Sequence, residues 1–447
     1  EEMLWSCTFW IWGTSVILVE ILGSSSGTPD TPLEENAWAL LVAGSKGLKN
    51  YRHQADICHS YHVMIAEGIP AHRIIVMMYD DIVNHPENPT PGKLINKPNG
   101  TDVYAGVKID YRGKDVNPKN FLNILKGNRT ELKGIGSGRV IESDENTNIF
   151  VYFADHGGAL TLNFPDASLY ADDLQHTLDE MFYTTNRYNK VIMYIEACFS
   201  GSMFEGILEE YTRVFVMTAA ARDESSYLAY CNLPQYHNIC LGDAFSVSWL
   251  ERMDKEGKGT FDQFFHQYQG LRIEVRESHV QIYGDFSIGP NAMTPNNKEL
   301  ISAPEYLTTS VSARDVELFH RQHKVSAARD METKLAAQKD YDNLVEGRKI
   351  ADELMEAIVT TAVAGAPHLR NALNGPILPA NLSIFPCYKK LINHFQRHCF
   401  GHEHYYLLNH HHKLANICIM NIDTSSLLDA IPSLCAPYMV RVKTIVS

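Results

Sequence analysis

The sequence lacks three features that would each indicate a particular class of protein. It has no excess of positive charge, because its 447 residues carry a formal net charge of −14, whereas a nucleic-acid-binding protein presents a basic surface. It contains no C-x-x-C pair of the kind that holds zinc. Beyond its N-terminal region it has no apolar run long enough to cross a bilayer. We therefore expect no nucleic-acid partner, no metal or other cofactor, and no stable membrane insertion.

The N-terminal region is the exception to this lack of long apolar runs. The stretch MLWSCTFWIWGTSVILVEILGSSSG starts at Met3, is strongly apolar and ends in small residues, which is typical of a secretory signal peptide. A membrane anchor is the alternative, but Glu20 interrupts the run and leaves it short for a bilayer span. We predict a signal peptide over residues 1–27, although no Lys or Arg precedes the apolar run.

The cysteines and the glycosylation motifs are consistent with a secreted chain. An even set of four cysteines close to the C-terminus suggests two disulfides; these are Cys387, Cys399, Cys418 and Cys435. Cys231 and Cys240 are a further candidate pair. Acceptor motifs for N-glycosylation occur at Asn99, Asn128 and Asn381. Together these features predict passage through the secretory pathway.

The region from residue 36 to about 290 alternates short apolar runs with amphipathic stretches. The runs 38–44, 73–81, 148–154, 190–197 and 213–221 are predicted strands, and 51–68, 117–128 and 171–184 are predicted helices. Continuous apolar strands that alternate with helices indicate an α/β fold with a parallel sheet covered on both faces. Ligand sites in such sheets lie beyond the carboxyl ends of the strands.

The β pattern ends near residue 290, and the chain changes character there. Residues 291–330 have the mixed composition of a linker. From Met331 to the end of the chain the pattern is helical and includes the four clustered cysteines. We therefore predict an α/β domain over 36–290, a linker over 291–330 and an all-helical C-terminal domain over 331–447.

Two predicted strands end in residues that can carry chemistry. In the segment NIFVYFADHGG, His156 follows the apolar run, and in KVIMYIEACFSGSM, Cys198 does. If these strands are neighbours in a parallel sheet, both side chains emerge at one edge, where the imidazole can take the proton of the thiol. A lone buried cysteine is usually only a small apolar residue, and a lone histidine at a strand end is usually structural. Their combination favours a cysteine nucleophile with a general base, with Asp155 as a strand-end cap.

Seven segments of the chain form recognisable motifs: AGSKGLKNYRHQADICH, VMMYDDI, NPTPGKLINKPNGTDVYAGV, KGIGSGRVIES, YFADHGG, YIEACFSGSM and RDESSY. These segments resemble the legumain family, the asparaginyl endopeptidases among the caspase-like cysteine peptidases. The resemblance runs from about Trp38 to the C-terminus and is densest before residue 245. It implies a caspase-like, mostly parallel sheet flanked by helices on both faces, and an all-α inhibitory prodomain over 331–447.

The resemblance also implies roles for particular residues. Cys198 and His156 would be catalytic, Asn50 would orient the histidine, and the N–H groups of Gly157 and Cys198 would bind the oxyanion. The implied pocket for an asparagine side chain consists of Arg52, His53, Glu196 and Asp243. An arginine can donate to the carboxamide oxygen while the acids accept from its nitrogen. An internal ion pair between Arg52 and Glu196 is the alternative, and both interpretations can hold.

The function that the resemblance implies is a secretory or lysosomal cysteine endopeptidase. It would cleave after asparagine, and after aspartate once low pH has protonated that side chain. It would be made as a zymogen whose linker is cut at Asn297 or Asp330. Its expected partners are protein and peptide substrates, its own prodomain and cystatin-type inhibitors, in a lysosome, an acidic vacuole or outside the cell.

The charge distribution suggests how acid could release the prodomain. Residues 387–447 hold six Lys or Arg against three acids, a net charge of +3, so residues 1–386 carry −14 minus 3, or −17. Opposite charges attract at neutral pH, and protonation of carboxylates weakens that attraction. Histidines of the tail would oppose this release unless they are buried or face cations.

Three alternative functions remain open at this point. One is a peptide ligase that passes the acyl group to an amine, another is a GPI-transamidase-like enzyme, and the last is a catalytically silent binding protein or inhibitor. The sequence also departs from the family pattern at three places. Gly158 stands where serine is more common, Ala221 and Arg222 stand where Asn-Pro is common, and the loop 231–240 differs. The last two are expected near the substrate cleft.

Overall fold

The computed structural model describes residues 36–256, 263–288, 310–402 and 404–442. Its strands are β1 (Ala37–Ala43), β2 (Ile74–Met77), β3 (Asn148–Ala154), β4 (Gly157–Gly158), β5 (Thr161–Phe164), β6 (Ala167–Tyr170), β7 (Lys190–Glu196), β8 (Val214–Thr218), β9 (Tyr227–Ala229), β10 (Gly242–Asp243), β11 (Gln281–Gly284) and β12 (Val311–Ser312). Its α-helices are α1 (Tyr51–Ala66), α2 (Pro118–Leu125), α3 (Ala171–Asp179), α4 (Ala244–Glu256), α5 (Gln263–Glu274), α6 (Val316–Ala327), α7 (Met331–Ala362), α8 (Arg370–Asn374), α9 (Phe385–His398), α10 (His411–Ile419) and α11 (Ser425–Val442). The predicted signal peptide, 1–27, and the candidate cleavage site Asn297 lie outside the described residues.

The central sheet has six strands in the order β11-β8-β7-β3-β1-β2. Strands β2, β1, β3, β7 and β8 pair in parallel, and β11 pairs antiparallel with β8. This confirms the predicted mostly parallel α/β sheet. The edge strand β11 was not predicted, because its four residues, QIYG, are only half-buried and show no periodicity.

Both faces of the sheet are buried, which explains why its strands are apolar throughout. In β1, Leu40 and Val42 belong to the core on one face, whereas Ala39 and Leu41 belong to the core on the other. Successive side chains of a strand point to opposite faces, so both sets of positions must be apolar.

The C-terminal helices pack against one of these two faces. The core that includes Leu40 and Val42 continues into the helices through residues such as Leu354, Tyr388 and Ile431. Accordingly, the described residues from 36 to 442 belong to one compact unit. The helical region is therefore part of the same packed body as the sheet.

The register of the sheet brings the two predicted catalytic strand ends together. Strands β3 and β7 are neighbours, and Ala154 lies opposite Glu196 at their carboxyl ends. His156 and Cys198 each follow two residues after this pair, so both leave the sheet at the same edge.

The segment predicted as a linker is more structured than its composition suggests. Within 291–330 the structure contains strand β12, which pairs antiparallel with β9, and helix α6, which is followed closely by α7. Helix α7 begins at Met331 as predicted, and the carboxylate of Asp330 caps it by accepting from the Thr333 N–H at 2.8 Å. A two-residue strand gives no recognisable sequence pattern, since it depends on the strand it pairs with.

The structure contains three disulfides. Cys387 pairs with Cys418, Cys399 with Cys435 and Cys231 with Cys240. This confirms the two predicted bridges near the C-terminus and the candidate local pair. Disulfides of this kind fit a protein of the secretory pathway. None of the helices in the described ranges combines the length and apolar character needed to cross a membrane.

Candidate active site

The imidazole of His156 is held by one hydrogen bond that defines its tautomer. The Asn50 side chain donates from Nδ2 to the Lys46 carbonyl at 2.9 Å, which turns its Oδ1 toward His156 Nε2, 2.8 Å away. Nε2 must then carry the hydrogen, and Nδ1 is the basic nitrogen. Nδ1 has no hydrogen-bond partner among the described residues. The ring is thus oriented with its basic nitrogen available to take a proton.

The surroundings of His156 keep it neutral. The side chain is buried, and burial lowers its pKa well below the ordinary value of 6.5, with further lowering by the charges of Arg52 and Arg314. A buried imidazole loses hydration when it becomes charged, and nearby cations add repulsion. A neutral imidazole is the form that can act as a base.

The thiol of Cys198 lies at the end of β7 against the other strand tip. It is buried, and its sulfur accepts from the Ser226 backbone N–H at 3.4 Å. A Cβ at Gly157 would clash with the Cys198 carbonyl oxygen and would lie 3.0 Å from the Ala197 Cβ. Only glycine fits at this close approach, so the two segments that carry the predicted oxyanion donors touch through their backbones.

The predicted specificity residues come together from three separate elements. Helix α1 supplies Arg52 and His53, β7 supplies Glu196 and β10 supplies Asp243. The Arg52 guanidinium donates from Nε to Asp243 Oδ1 at 2.8 Å, and the His53 Nδ1 lies 2.7 Å from the Ser45 hydroxyl. Arg52 therefore forms an internal ion pair with Asp243, and the pair between Arg52 and Glu196 considered from the sequence is not found among the described residues.

Three polar atoms of this cluster are buried without a hydrogen-bond partner among the residues that the structure describes. They are Arg52 Nη2, Glu196 Oε1 and Asp243 Oδ2. The other Glu196 oxygen, Oε2, accepts from the Ser246 hydroxyl at 3.0 Å and the Ser246 N–H at 3.3 Å. Asp243 Oδ2 also lies 3.5 Å from His53 Nε2. The cluster thus offers one donor and two acceptors that form no hydrogen bond within the described residues. A carboxamide side chain presents the complementary set, one acceptor oxygen and two N–H donors.

Burial also limits how much negative charge the cluster holds. It raises the pKa of Glu196 well above the ordinary value of 4.5, and the charge of Asp243 raises it further. Burial likewise raises the pKa of Asp243, although the charge of Arg52 and its hydrogen bond oppose the shift. One guanidinium cannot neutralise several buried carboxylates, so the acids compete for protons.

Asp155 has more contacts than a strand-end cap requires. The His156 backbone N–H lowers the pKa of its carboxyl, as the N–H beside a cap would. It is also only 3% exposed and lies 3.5 Å from His53 Nδ1. Burial raises the pKa of Asp155 well above its ordinary value. The sequence predicted that Asp155 is a polar residue following a strand, but it did not predict that the fold buries this side chain.

Comparison with known proteins gives the same family for both parts of the chain. Residues 37–296 match the Peptidase C13 family, and residues 339–435 match the prodomain of legumain. The chain belongs to the peptidase C13 family. It is therefore a cysteine peptidase of the legumain type that carries its prodomain, and the prediction made from the motifs is confirmed.

Individual members of the family are similar over most of their length. Legumain of Bos taurus is 38% identical over 91% of this chain and 95% of its own length. The vacuolar-processing enzyme delta-isozyme of Arabidopsis thaliana is 37% identical over 91% of this chain and 92% of its own. The hemoglobinase of Schistosoma japonicum is 38% identical over 78% of this chain and 82% of its own.

Two residues of this C13 peptidase that the sequence did not single out lie over the predicted catalytic histidine. The Arg314 guanidinium donates from Nη2 to the Gly157 carbonyl and from Nη1 to the Tyr405 carbonyl at 3.1 Å. The Tyr405 ring stacks on the His156 ring, with centroids 3.9 Å apart and planes 22° from parallel. A single arginine in a linker-like stretch and a tyrosine in a tail give no sequence signal, since only the fold brings them to the site.

Two of the departures from the family pattern contact the prodomain. A Cβ at Gly158 would lie 3.0 Å from His411 Nδ1 and 3.4 Å from the Leu408 carbonyl oxygen. Arg222 donates from Nη2 to the Ile377 carbonyl oxygen at 2.7 Å. Both positions therefore lie where the prodomain packs on the catalytic region in this structure.

The remaining predicted sites can be compared only for exposure. Asn99 and Asn381 are exposed and Asn128 is half-buried. Asp330 is exposed at the junction between α6 and α7. Its side chain is engaged as the cap of α7, so cleavage at this bond would require the first turn of α7 to open.

Proposed function

We propose that the protein is the zymogen of an endopeptidase that cleaves peptide bonds after asparagine. The observation that carries this proposal is the set of three unpaired polar atoms in the pocket, which matches a carboxamide atom for atom. Leaving one of these buried groups without a partner would cost about 1–3 kcal/mol. Apolar side chains, which cannot pair with any of them, are therefore excluded.

In the proposed reaction, His156 Nδ1 takes the proton of the Cys198 thiol, and the thiolate attacks the carbonyl carbon of the scissile bond. The backbone N–H groups of Gly157 and Cys198 stabilise the oxyanion that forms. The protonated imidazole gives its proton to the departing amine, which leaves an acyl-enzyme. A water molecule, deprotonated by the same imidazole, then hydrolyses the thioester and frees the thiol. Asn50 holds the ring in position throughout.

In the proposed pocket, Arg52 Nη2 donates to the oxygen of the asparagine side chain, while Glu196 and Asp243 accept its two N–H groups. His53 lies beside Asp243 and is kept neutral, because burial and the charge of Arg52 lower its pKa. An aspartate side chain offers the same oxygen but no donor until it is protonated. Cleavage after aspartate should therefore appear only as the pH falls toward its ordinary pKa of about 4.

The zymogen is inactive in this proposal because Arg314 and Tyr405 cover the catalytic residues. Acid would release the prodomain, and the chain would be cut at Asn297 or at Asp330. The three disulfides and the acceptor motifs at Asn99, Asn128 and Asn381 support a route through the secretory pathway to an acidic compartment, a lysosome or vacuole. Cystatin-type inhibitors are proposed partners by family resemblance.

The test is cleavage of a fluorogenic peptide by the full-length chain after incubation at about pH 4. We expect turnover of a peptide with asparagine before the scissile bond, little turnover of a matched glutamine peptide, and loss of about 10⁴-fold or more in Cys198→Ala. Cys58→Ala is the matched control, because Cys58 is the other free, buried cysteine among the described residues. Turnover that survives in Cys198→Ala would contradict the proposal. Adding an amine-bearing peptide to the same assay separates ligation from hydrolysis.

A further inference from the structure

A fourth carboxyl group, that of Asp56, lies next to the Asp243 backbone at the predicted specificity pocket. Asp56 is on α1 one turn after Arg52, so the two side chains share one face of the helix. It is fully buried. Its Oδ2 accepts from the Asp243 backbone N–H at 3.1 Å, and its Oδ1 accepts from Asn96 Nδ2 at 2.6 Å. Both oxygens are thus used within the protein.

Strand β10 packs directly on this carboxyl group. A Cβ at Gly242 would lie 2.9 Å from Asp56 Oδ1 and 3.0 Å from Asn96 Nδ2. Strand β10 has only two residues, so its pairing with β9 provides few hydrogen bonds to hold it. The position of Asp243 therefore depends on what its backbone contacts from the α1 side.

The Asn96 side chain extends this support to the other side of Gly242. Its Nδ2 also donates to the Leu241 carbonyl at 3.0 Å, and its Oδ1 lies 2.7 Å from His59 Nδ1. Asp56 and Asn96 thus hold the backbone on both sides of Gly242, through the Leu241 carbonyl and the Asp243 N–H. The amide of Asn96 has one orientation that satisfies all three partners.

Asp56 lies in a cluster that has more carboxyl groups than cations. Arg52 is the cation of the cluster, while Asp56, Glu196 and Asp243 are its carboxyl groups. Burial raises the pKa of Asp56 well above its ordinary value, and the charges of Asp243 and Glu196 raise it further. This buried carboxyl has both oxygens bonded, one of them to the backbone of β10, which indicates a role in holding β10.

We propose that Asp56 is a positioning residue for the carboxamide pocket, which rests on the proposed cleavage after asparagine. Its carboxyl holds the Asp243 backbone so that Oδ1 stays on Arg52 and Oδ2 faces the substrate amide. If β10 shifts, the pocket loses contact with the asparagine side chain in the ground state and the transition state alike. Such a loss raises KM and leaves kcat nearly unchanged.

The test compares Asp56→Asn with the double variant Asp56→Asn/Asn96→Asp in the full-length, acid-incubated chain. In the single variant the oxygen of the new amide can accept from either the Asp243 N–H or Asn96 Nδ2. Its nitrogen then faces the other of these two donors and cannot bond to it. We expect KM for the asparagine peptide to rise about 10-fold, with kcat within about 3-fold of the original enzyme. The double variant restores a donor–acceptor pair between positions 56 and 96 but loses the donor to the Leu241 carbonyl, so KM should return only part of the way to its original value.

Two controls separate positioning from loss of folded enzyme. Titration of the active-site thiol with an alkylating reagent gives the concentration of folded enzyme in each sample. Asp110→Asn removes a comparable buried carboxyl, one that accepts from the Val76 N–H at 3.1 Å and pairs with Arg139 at 2.9 Å. It lies beside β2 and has no contact with the pocket, so KM should not change.

An unchanged KM in Asp56→Asn, or no recovery in the double variant, would overturn the inference. If the single variant does not fold, recovery of titratable enzyme in the double variant supports it, and failure to recover overturns it. The original enzyme distinguishes this inference from the proposed function. If it does not cleave the asparagine peptide at all, the function is wrong, whereas cleavage with an insensitive Asp56 refutes only the positioning role.

Discussion

The proposed carboxamide pocket and the prodomain contact both border the predicted catalytic residues, but they differ in whether their arginine Nη atoms are already bound. In the pocket, buried atoms of Arg52, Glu196 and Asp243 have no partner among the described residues. In the prodomain contact, both Nη atoms of Arg314 are bound to backbone carbonyls, and the Tyr405 ring covers His156. Under our proposal a substrate completes the first surface, whereas the prodomain already binds both Nη atoms of Arg314 in the second, where Arg314 Nε and His411 Nδ1 have no hydrogen-bond partner among the described residues.

The two regions also differ in how they respond to acid. Among the histidines of the tail, His411 is buried and faces the Arg314 guanidinium, with His402, His410 and His412 as its other ionisable neighbours. Burial, followed by the charge of Arg314, lowers the pKa of His411 to about 3. Because protonation of His411 is unfavourable while it is buried beside Arg314, acidification at this residue favours release of the prodomain. The predictions below test this contrast, beginning with the largest expected effect.

Glu196→Gln should damage the pocket most. The new amide can still accept from Ser246 through its oxygen, but its nitrogen then places a donor against the donor of the substrate amide. We expect kcat/KM for an asparagine peptide to fall about 100-fold, or about 2.7 kcal/mol. Glu251→Gln is the matched control, since that buried glutamate bonds to Tyr230. Equal kcat/KM for Glu196→Gln and the original enzyme would show that Glu196 does not bind the asparagine side chain.

Arg314→Ala should open the prodomain contact without touching the pocket. The substitution removes two charge-assisted hydrogen bonds, to the Gly157 and Tyr405 carbonyls. We expect the uncut zymogen at neutral pH to react with a thiol reagent at Cys198 about 30-fold faster, since such bonds contribute about 1.5–3 kcal/mol. Arg370→Ala is the control, because that arginine pairs with Glu356 inside the prodomain. An unchanged labelling rate would show that Arg314 does not close the site.

His411→Gln should reduce the sensitivity of the contact to acid. The neutral, buried form of His411 stabilises the closed state above its ordinary pKa of 6.5, and this contribution is lost as the pH falls toward about 3. Glutamine does not titrate, so at about pH 5 the variant should label at Cys198 about 10-fold more slowly than the original zymogen.

Rates in the His411→Gln experiment are compared at each pH, because thiol reagents are themselves sensitive to pH. His398→Gln, which changes an exposed histidine of α9, should follow the original zymogen. A variant at position 411 that labels with the original pH profile would contradict the role given to His411.

Gly158→Ser should have the smallest effect. The added Cβ would lie 3.0 Å from His411 Nδ1 and 3.1 Å from Thr161 Oγ1, which is tight but allows small adjustments. We expect labelling of Cys198 in the zymogen to rise about 3-fold at neutral pH. Gly365→Ser provides the comparison, since a Cβ there meets nothing within 4 Å. If Gly158→Ser instead changes kcat/KM of the activated enzyme and leaves zymogen labelling unchanged, Gly158 affects substrate binding and not the prodomain contact.

Much of the fold could be predicted because its signals are local. The predicted strand 148–154 coincides with β3, and the runs 38–44 and 190–197 lie within one residue of β1 and β7. The polar residues that follow β3 and β7 mark the predicted catalytic edge. Helix α7 begins at the predicted residue because Asp330 is a good N-cap. Strands β10 and β12 could not be predicted, because two residues have no periodicity and exist as strands only through β9.

The sequence by itself determined the parallel sheet, the placement of His156 and Cys198 at neighbouring strand ends, and the family through its motifs. These properties follow from alternation, strand-end chemistry and short patterns that do not depend on distant residues. Only the tertiary structure decided that Arg52 pairs with Asp243, that Asp56 supports that residue from behind, and that Arg314 and Tyr405 cover the histidine. Each of these contacts joins residues far apart in the chain, and their hydrogen bonds and burial exist only once the sheet and the C-terminal helices have packed together.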